Sequence, residues 1–171
     1  MSRARPFNKG TDAMSKYVLP ALAAASVIIA PAFAQARPVT FEVKLKRYGG
    51  DGAYVALYVL DKAGAYKGTL WIAGGKSKYY RHLSDWDRAS GGSLSGLDGV
   101  TGASVGAGRT LTVTSDLADA LIDGGFQVRV DTSVEKMRDN PSDVAAPLTT
   151  DGAGKPMRGK GYVESFVYKL Q

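Results

Sequence analysis

His82 is the only histidine in a chain of 171 residues that has no cysteine. It stands in KSKYYRHLSDW, Lys76 to Trp86, with Tyr79 one helical turn before it and Trp86 one turn after it. An imidazole can ligate haem iron together with a tyrosine, or help to hold copper or iron. First-row metals usually take two or more strong ligands. No second histidine and no cysteine exists to supply one, and beyond residue 36 the only methionines are Met137 and Met157. His82 therefore reads as a histidine at the border of an apolar helical face, and no bound metal or cofactor is expected.

Other motifs fall short of the chemistry they imitate. GASVGAGRT, Gly102 to Thr110, imitates a phosphate-binding loop, but that loop needs G-x4-G-K-S/T. The second glycine is misplaced, and Arg109 stands where the lysine belongs. Asp116, Asp119 and Asp123 invite a calcium site, yet they lack the alternate-position ligands and the twelfth-position glutamate of a calcium loop. They read as acids of surface turns. Gly-x-Ser-x-Gly is absent, and a catalytic triad would need a serine brought beside Arg81–Leu83 from elsewhere. The absence of cysteine excludes disulfides, zinc–thiolate sites, iron–sulfur clusters and thiol nucleophiles. An enzyme is not expected.

The formal net charge is +6, but four of the 22 basic residues and one of the 16 acidic ones precede Arg37, leaving 18 against 15. No basic stripe stands out, so nucleic acid is not an expected partner. The amino-terminal segment has the pattern of an export signal. Met14-Ser-Lys16 is a short basic start, and Met14 is a possible true beginning of the chain. Tyr17–Ala30 is an apolar run, and PAFAQA places small residues where a signal peptidase reads them. Cleavage is expected before Gln35 or before Arg37. The run is shorter than the roughly 20 residues that span a bilayer. The expected product is therefore a periplasmic protein that does not span the membrane. Residues 1–36 are read as the signal and 37–171 as one domain.

That domain must position the candidates above. Phe41, Val43 and Leu45 alternate with Glu42, Lys44 and Lys46, the period of a half-buried strand. Ala53–Asp61 is almost wholly apolar and aromatic, a central strand. Lys62–Ala65 is a hairpin link, and Tyr66–Ala73 returns. Ser77 is expected to cap a helix over residues 78–89, with Tyr79, Leu83 and Trp86 on one face and Gly91-Gly92 as its stop. Ser93–Gly108 is a Gly/Ser-rich loop. Further strands are expected at Arg109–Ser115 and Phe126–Val134, at an edge strand in VAAPLTT, and at Tyr162–Leu170. The fold class is all-β: an immunoglobulin-like antiparallel β-sandwich of about seven strands with one short helix inserted after the third strand.

The runs AYVALYVLDKAGAYKGTLWIAGGKSKYYRHLSDWDRASGG, DGVTGASVGAGRTLTV and GGFQVRVDTSVE together resemble the exported bacterial domain of unknown function numbered 2271. The likeness falls on Tyr54–Val59, Asp61–Gly64, Thr69–Trp71, Lys78–Trp86, Asp98–Ser104 and Gly125–Glu135. It covers nearly all of residues 40–171. Three positions depart from the pattern: Tyr58 stands for a tryptophan, Ser104 for a threonine with no proline after it, and Phe126 for a tyrosine. The resemblance implies a sandwich related to the immunoglobulin-like part of flagellar hook-cap proteins. It implies no catalytic residues. It also implies neighbours: an inner-membrane PepSY-type protein, or a TonB-dependent uptake system for iron compounds. The function so implied is that of an accessory binding protein in iron or haem acquisition, with a structural or assembly role in the cell envelope as the alternative. Loops on a rigid sandwich usually carry function. The expected binding surface is therefore the helix and the loop after it, with Tyr79, Tyr80, His82, Trp86, Thr101 and Arg109.

Overall fold

A computed structural model describes residues 35–171. The readings of Tyr17–Ala30 as an export signal and of Met14 as a start lie outside the described residues. Among the described residues, eight strands form two sheets: β1 (Ala36–Leu45), β2 (Tyr54–Leu60), β3 (Tyr66–Ala73), β4 (Thr101–Gly102), β5 (Thr110–Ala118), β6 (Gln127–Ser133), β7 (Asn140–Pro147) and β8 (Val163–Leu170). One sheet has the order β5-β1-β8 and the other β4-β3-β2-β6-β7. Every ladder is antiparallel except the short β3–β4 pair. The chain passes from β1 into the five-stranded sheet, returns for β5, crosses again for β6 and β7, and comes back as β8. All-β architecture with a short helix after the third strand is what the sequence predicts.

The alternation in β1 does what its period requires. Val39, Phe41, Val43 and Leu45 are fully buried between the sheets. Their neighbours point to water, where Lys44 pairs with Glu164 at 3.0 Å and Lys169 with Glu42 at 2.6 Å. Phe41, Phe166 and Tyr168 pack together in the same layer, their ring centroids 6.3 to 6.4 Å apart.

β2 has no polar face because it has no wet face. Val55, Leu57 and Val59 face the space between the sheets. Ala56, Tyr58 and Leu60 face outward, and they too are buried, under a second core with Ile72, Tyr80, Leu83, Trp86 and Leu97. Burying side chains of this size is worth roughly 1.5–3 kcal/mol each. The insertion after β3 thus docks as a third layer on the outer face of the five-stranded sheet.

That insertion is two pieces, not the single helix the spacing predicts. Ser77–His82 is a 3₁₀ segment, and α1 runs from Ser84 to Ser90. Leu83 breaks between them with ψ +69°. The buried positions are Tyr80, Leu83 and Trp86, three apart as a tighter helix demands. Tyr79 is rotated off that face. Ser77 does not cap; it is the first residue of the 3₁₀ segment, and Lys76 holds the cap position without a side-chain bond. The stop falls where the sequence puts it: Gly91 adopts the left-handed conformation at φ +68°, which suits glycine at a helix end.

The edge strand begins earlier than VAAPLTT, at Asn140, and contains two prolines. Asp61 closes the β2–β3 hairpin, its Oδ1 accepting the backbone N–H groups of Ala63 and Ala65, both at 2.9 Å.

Candidate functional site

The outer face of the five-stranded sheet carries a row of polar β6 residues under the helical layer. Gln127, Arg129, Asp131 and Ser133 alternate with inward-facing residues of the same strand. A free surface would hydrate them. Here α1 covers the middle of the row, so Asp131 is completely buried.

Asp131 is held by four donors. Its Oδ2 accepts the N–H groups of Asp85 and Trp86, both at 2.9 Å. Its Oδ1 accepts the Tyr58 hydroxyl at 3.1 Å and the Ser142 N–H at 2.8 Å. It therefore caps α1 from a different strand, and it fills all the acceptor positions a carboxylate offers. Burial pushes its pKa up against the pull of these donors, and the neighbouring Asp85 carboxylate adds to the rise. Burial likewise pushes up the Tyr58 hydroxyl beneath it. Ser142 stands at φ +43°, an uncommon conformation for a residue with a side chain, opposite a break in the β6–β7 register. Its hydroxyl gives a hydrogen bond to Asp85 at 2.6 Å and takes one from Arg129 at 2.8 Å.

A cavity lies at each end of this row. At the β6 carboxyl end, a cavity of about 210 Å³ is lined by Tyr54, Tyr79, His82, Met137 and Asp139, among others. At the other end, one of about 260 Å³ is lined by Tyr58, Asp85, Arg88, Arg129 and Ser142, among others. In the second, the polar groups are engaged with each other: Arg88 pairs with Asp85 at 3.0 Å, and Arg129 is tied to Ser142. The first keeps uncommitted chemistry.

His82 sits in the wall of that first cavity. Its Nδ1 lies 3.0 Å from Asp139 Oδ2. The other oxygen of Asp139 takes the Ser133 hydroxyl at 2.6 Å. A carboxylate only accepts, so Nδ1 carries a proton, and in the neutral imidazole Nε2 keeps its lone pair. Serine and histidine both bond to the aspartate and not to each other, so this is not a serine nucleophile with its base. Tyr54 and Tyr79 meet edge to face at 5.7 Å. Gly74 makes room for them: a β-carbon there would collide with the Tyr54 ring.

Of the six residues predicted as a surface, Tyr79 and His82 share this cavity. Tyr80 and Trp86 do not join them. Both are buried in the second core, edge to face at 6.0 Å, with the Tyr80 hydroxyl on the Gly74 carbonyl at 2.8 Å and the Trp86 indole N–H on the Thr69 hydroxyl at 2.8 Å. Thr101 lies on β4 beside β3, and the Arg109 carbonyl accepts the Leu45 N–H; neither lines either cavity. Tyr54, Ser133, Met137 and Asp139 were not predicted. Tyr54 and Ser133 face each other across the β2–β6 register. Only the aromatic character of Tyr54 on a strand end signals it in the sequence.

Two of the three acids that imitate a calcium site are engaged separately, and Asp116 lies within β5 and not in a turn. Asp119 pairs with Arg37 at 2.6 Å, and Asp123 accepts the Thr150 N–H at 3.0 Å and its hydroxyl at 2.7 Å. These bonds hold both carboxyls below the ordinary aspartate range. Among the described residues, no group of three or more His, Cys, Asp or Glu side chains could hold a metal ion. No helix among them is long and apolar enough to cross a membrane.

A family model described as "Predicted periplasmic protein (DUF2271)" matches residues 36–165. No curated protein and no solved structure matches the chain.

Proposed function

We propose, from the premise that this chain belongs to the DUF2271 family of predicted periplasmic proteins, that it is a non-enzymatic binding protein of the periplasm. Its role is accessory to iron or haem acquisition, beside an inner-membrane PepSY-type protein or a TonB-dependent uptake system. The observation that carries the binding role is the cavity of Tyr54, Tyr79, His82 and Met137. It is concave and largely apolar, with a few oriented polar groups, which is the usual make-up of a ligand site. Catalytic groups are scarce there. The histidine faces no serine nucleophile, and the buried Asp131 is occupied in capping α1.

The role in iron uptake is tested by growth. In a strain lacking this protein, growth on limiting iron should slow, and growth on ample iron should not. Restoring the wild-type gene should recover it, whereas Tyr79→Ala combined with His82→Ala should not, at equal protein level in the periplasm. Tyr79 and His82 are partly exposed, so replacing them spares the second core, which replacing Tyr80 would not. Full growth with the double variant would put the working surface elsewhere. Full growth of the deletion strain would remove the iron role.

A further inference from the structure

The cavity at Tyr79 and His82 offers a single imidazole. His82 is the only histidine, there is no cysteine, and no cluster of three metal-binding side chains exists among the described residues. A bare first-row ion needs several donors and would find too few here. Yet His82 is set up as a ligand. Its Nδ1 side is fixed by Asp139, and Asp139 is itself fixed by Ser133. A carboxylate behind the imidazole is the arrangement that holds metal-ligating histidines in one tautomer and raises their basicity. Nε2 is then the free donor atom.

The walls around it are aromatic and soft. Tyr54 and Tyr79 supply ring faces and edges, and Met137, 41% exposed, supplies a thioether at the rim. Methionine adapts its shape and packs well on aromatic rings. Lys136 and Glu135 are at the same rim, and the Lys78 ammonium lies 4.8 Å from the centre of the Tyr79 ring. About 210 Å³ is less than the roughly 300–1,000 Å³ of sites that enclose a drug-sized ligand. The occupant is therefore only partly enclosed.

We infer that this cavity takes a metal ion that arrives already bound in a planar aromatic chelate, with one coordination position left open for His82 Nε2. The chelate brings the donors the protein lacks. Tyr54, Tyr79 and Met137 pack against its ring, and Lys136 at the rim is placed to meet a carboxylate on its margin. Ser133 and Asp139 act as positioning residues behind the ligand. The inference rests on the binding role proposed above and names the ligand class.

The test is an absorbance titration of untagged protein purified from the periplasm. The probes are haemin, metal-free protoporphyrin, and ferric and cupric ions. Haemin should give a saturable shifted Soret band at one equivalent. His82→Ala should lose that band and bind at least tenfold more weakly. Tyr79→Phe should keep it, and Asp139→Asn should keep it with affinity reduced about 10- to 100-fold. Protoporphyrin should bind at least tenfold more weakly than haemin, and the bare ions should not saturate at one equivalent. Thermal unfolding of each variant verifies that it is folded. Equal binding of haemin and protoporphyrin, or a band that survives His82→Ala, would show that the metal is not coordinated here and overturn the inference. So would stoichiometric binding of a bare ion. A flat titration together with a growth defect of the double variant would overturn the chelate inference and leave the iron role standing.

Discussion

Trp86→Ala should lower the stability of the fold by about 4 kcal/mol, within the roughly 3–5 kcal/mol seen when a buried tryptophan or phenylalanine is cut to alanine. Trp86 is fully buried and is the largest side chain of the second core. Its loss removes the edge-to-face contact with Tyr80 and leaves the Thr69 hydroxyl without the indole donor. The damage should be local at first. The second core is separate from the one between the sheets, and only the helical layer depends on it wholly. Amide exchange followed by mass spectrometry should therefore show residues 77–90 losing protection while β1, β5 and β8 keep theirs. Uniform loss of protection across both sheets would mean that the helical layer is integral to the sandwich and not docked on it. Trp86→Phe, which keeps most of the volume, should recover most of the stability.

Asp131→Asn is the second large effect expected. The carboxylate accepts from four donors, and an amide can offer only one oxygen to them. At least two of the donors would face an NH₂ group. Each buried donor left unsatisfied costs roughly 1–3 kcal/mol, so a loss of about 3 kcal/mol is expected. For a domain of this size that is a fall in Tm of roughly 10 °C. Asp131 also has a signature in pH. Its folded pKa is raised, so the folded protein holds this proton more tightly than the unfolded chain does. The stability it contributes is greatest below the ordinary aspartate pKa and declines as pH rises through the folded value. The gap in Tm between the wild type and Asp131→Asn should therefore narrow as pH is raised from about 4. Asp61, Asp119 and Asp123, whose pKa values are lowered, act in the opposite direction. They do so equally in both proteins, and the difference cancels them. A gap that widens with pH would mean that the hydrogen bonds outweigh burial.

Strand identity was legible because the chain obeys short-range rules. The alternation Phe41, Val43, Leu45 names its own buried face, and the unbroken apolar run of β2 announces cover on both sides. What covers the outer side was only half legible. Tyr79 and Tyr80 are adjacent and alike, so periodicity alone assigned the apolar face to Tyr79 at α-helical spacing. The break at Leu83 gives that face to Tyr80 instead. Asp131 shows the same limit from the other direction. Its polarity marks the outer face of β6 correctly, but its burial is decided by a helix some 45 residues earlier in the chain. The candidate site was the least legible part. His82 looked partnerless because Asp139 is 57 residues away, in a polar tip that local patterning treats as solvent-facing. Thr101 and Arg109 are close to the helix in sequence only: the β3–β4 pairing carries Thr101 to the edge of the five-stranded sheet, and Arg109 leads into β5 of the other sheet.

One property of the sequence makes the central claim directly measurable. With a single histidine in the chain, side-chain ¹⁵N spectra contain one imidazole. In the neutral imidazole, a protonated Nδ1 held by Asp139 and an unprotonated Nε2 are expected, with the tautomer lost in Asp139→Asn. On addition of one equivalent of haemin, the Nε2 resonance should move or broaden beyond detection while the protein stays folded. A protonated Nε2 in the free protein, together with a spectrum unchanged by haemin, would contradict the claim that His82 is a ligand held ready in this cavity.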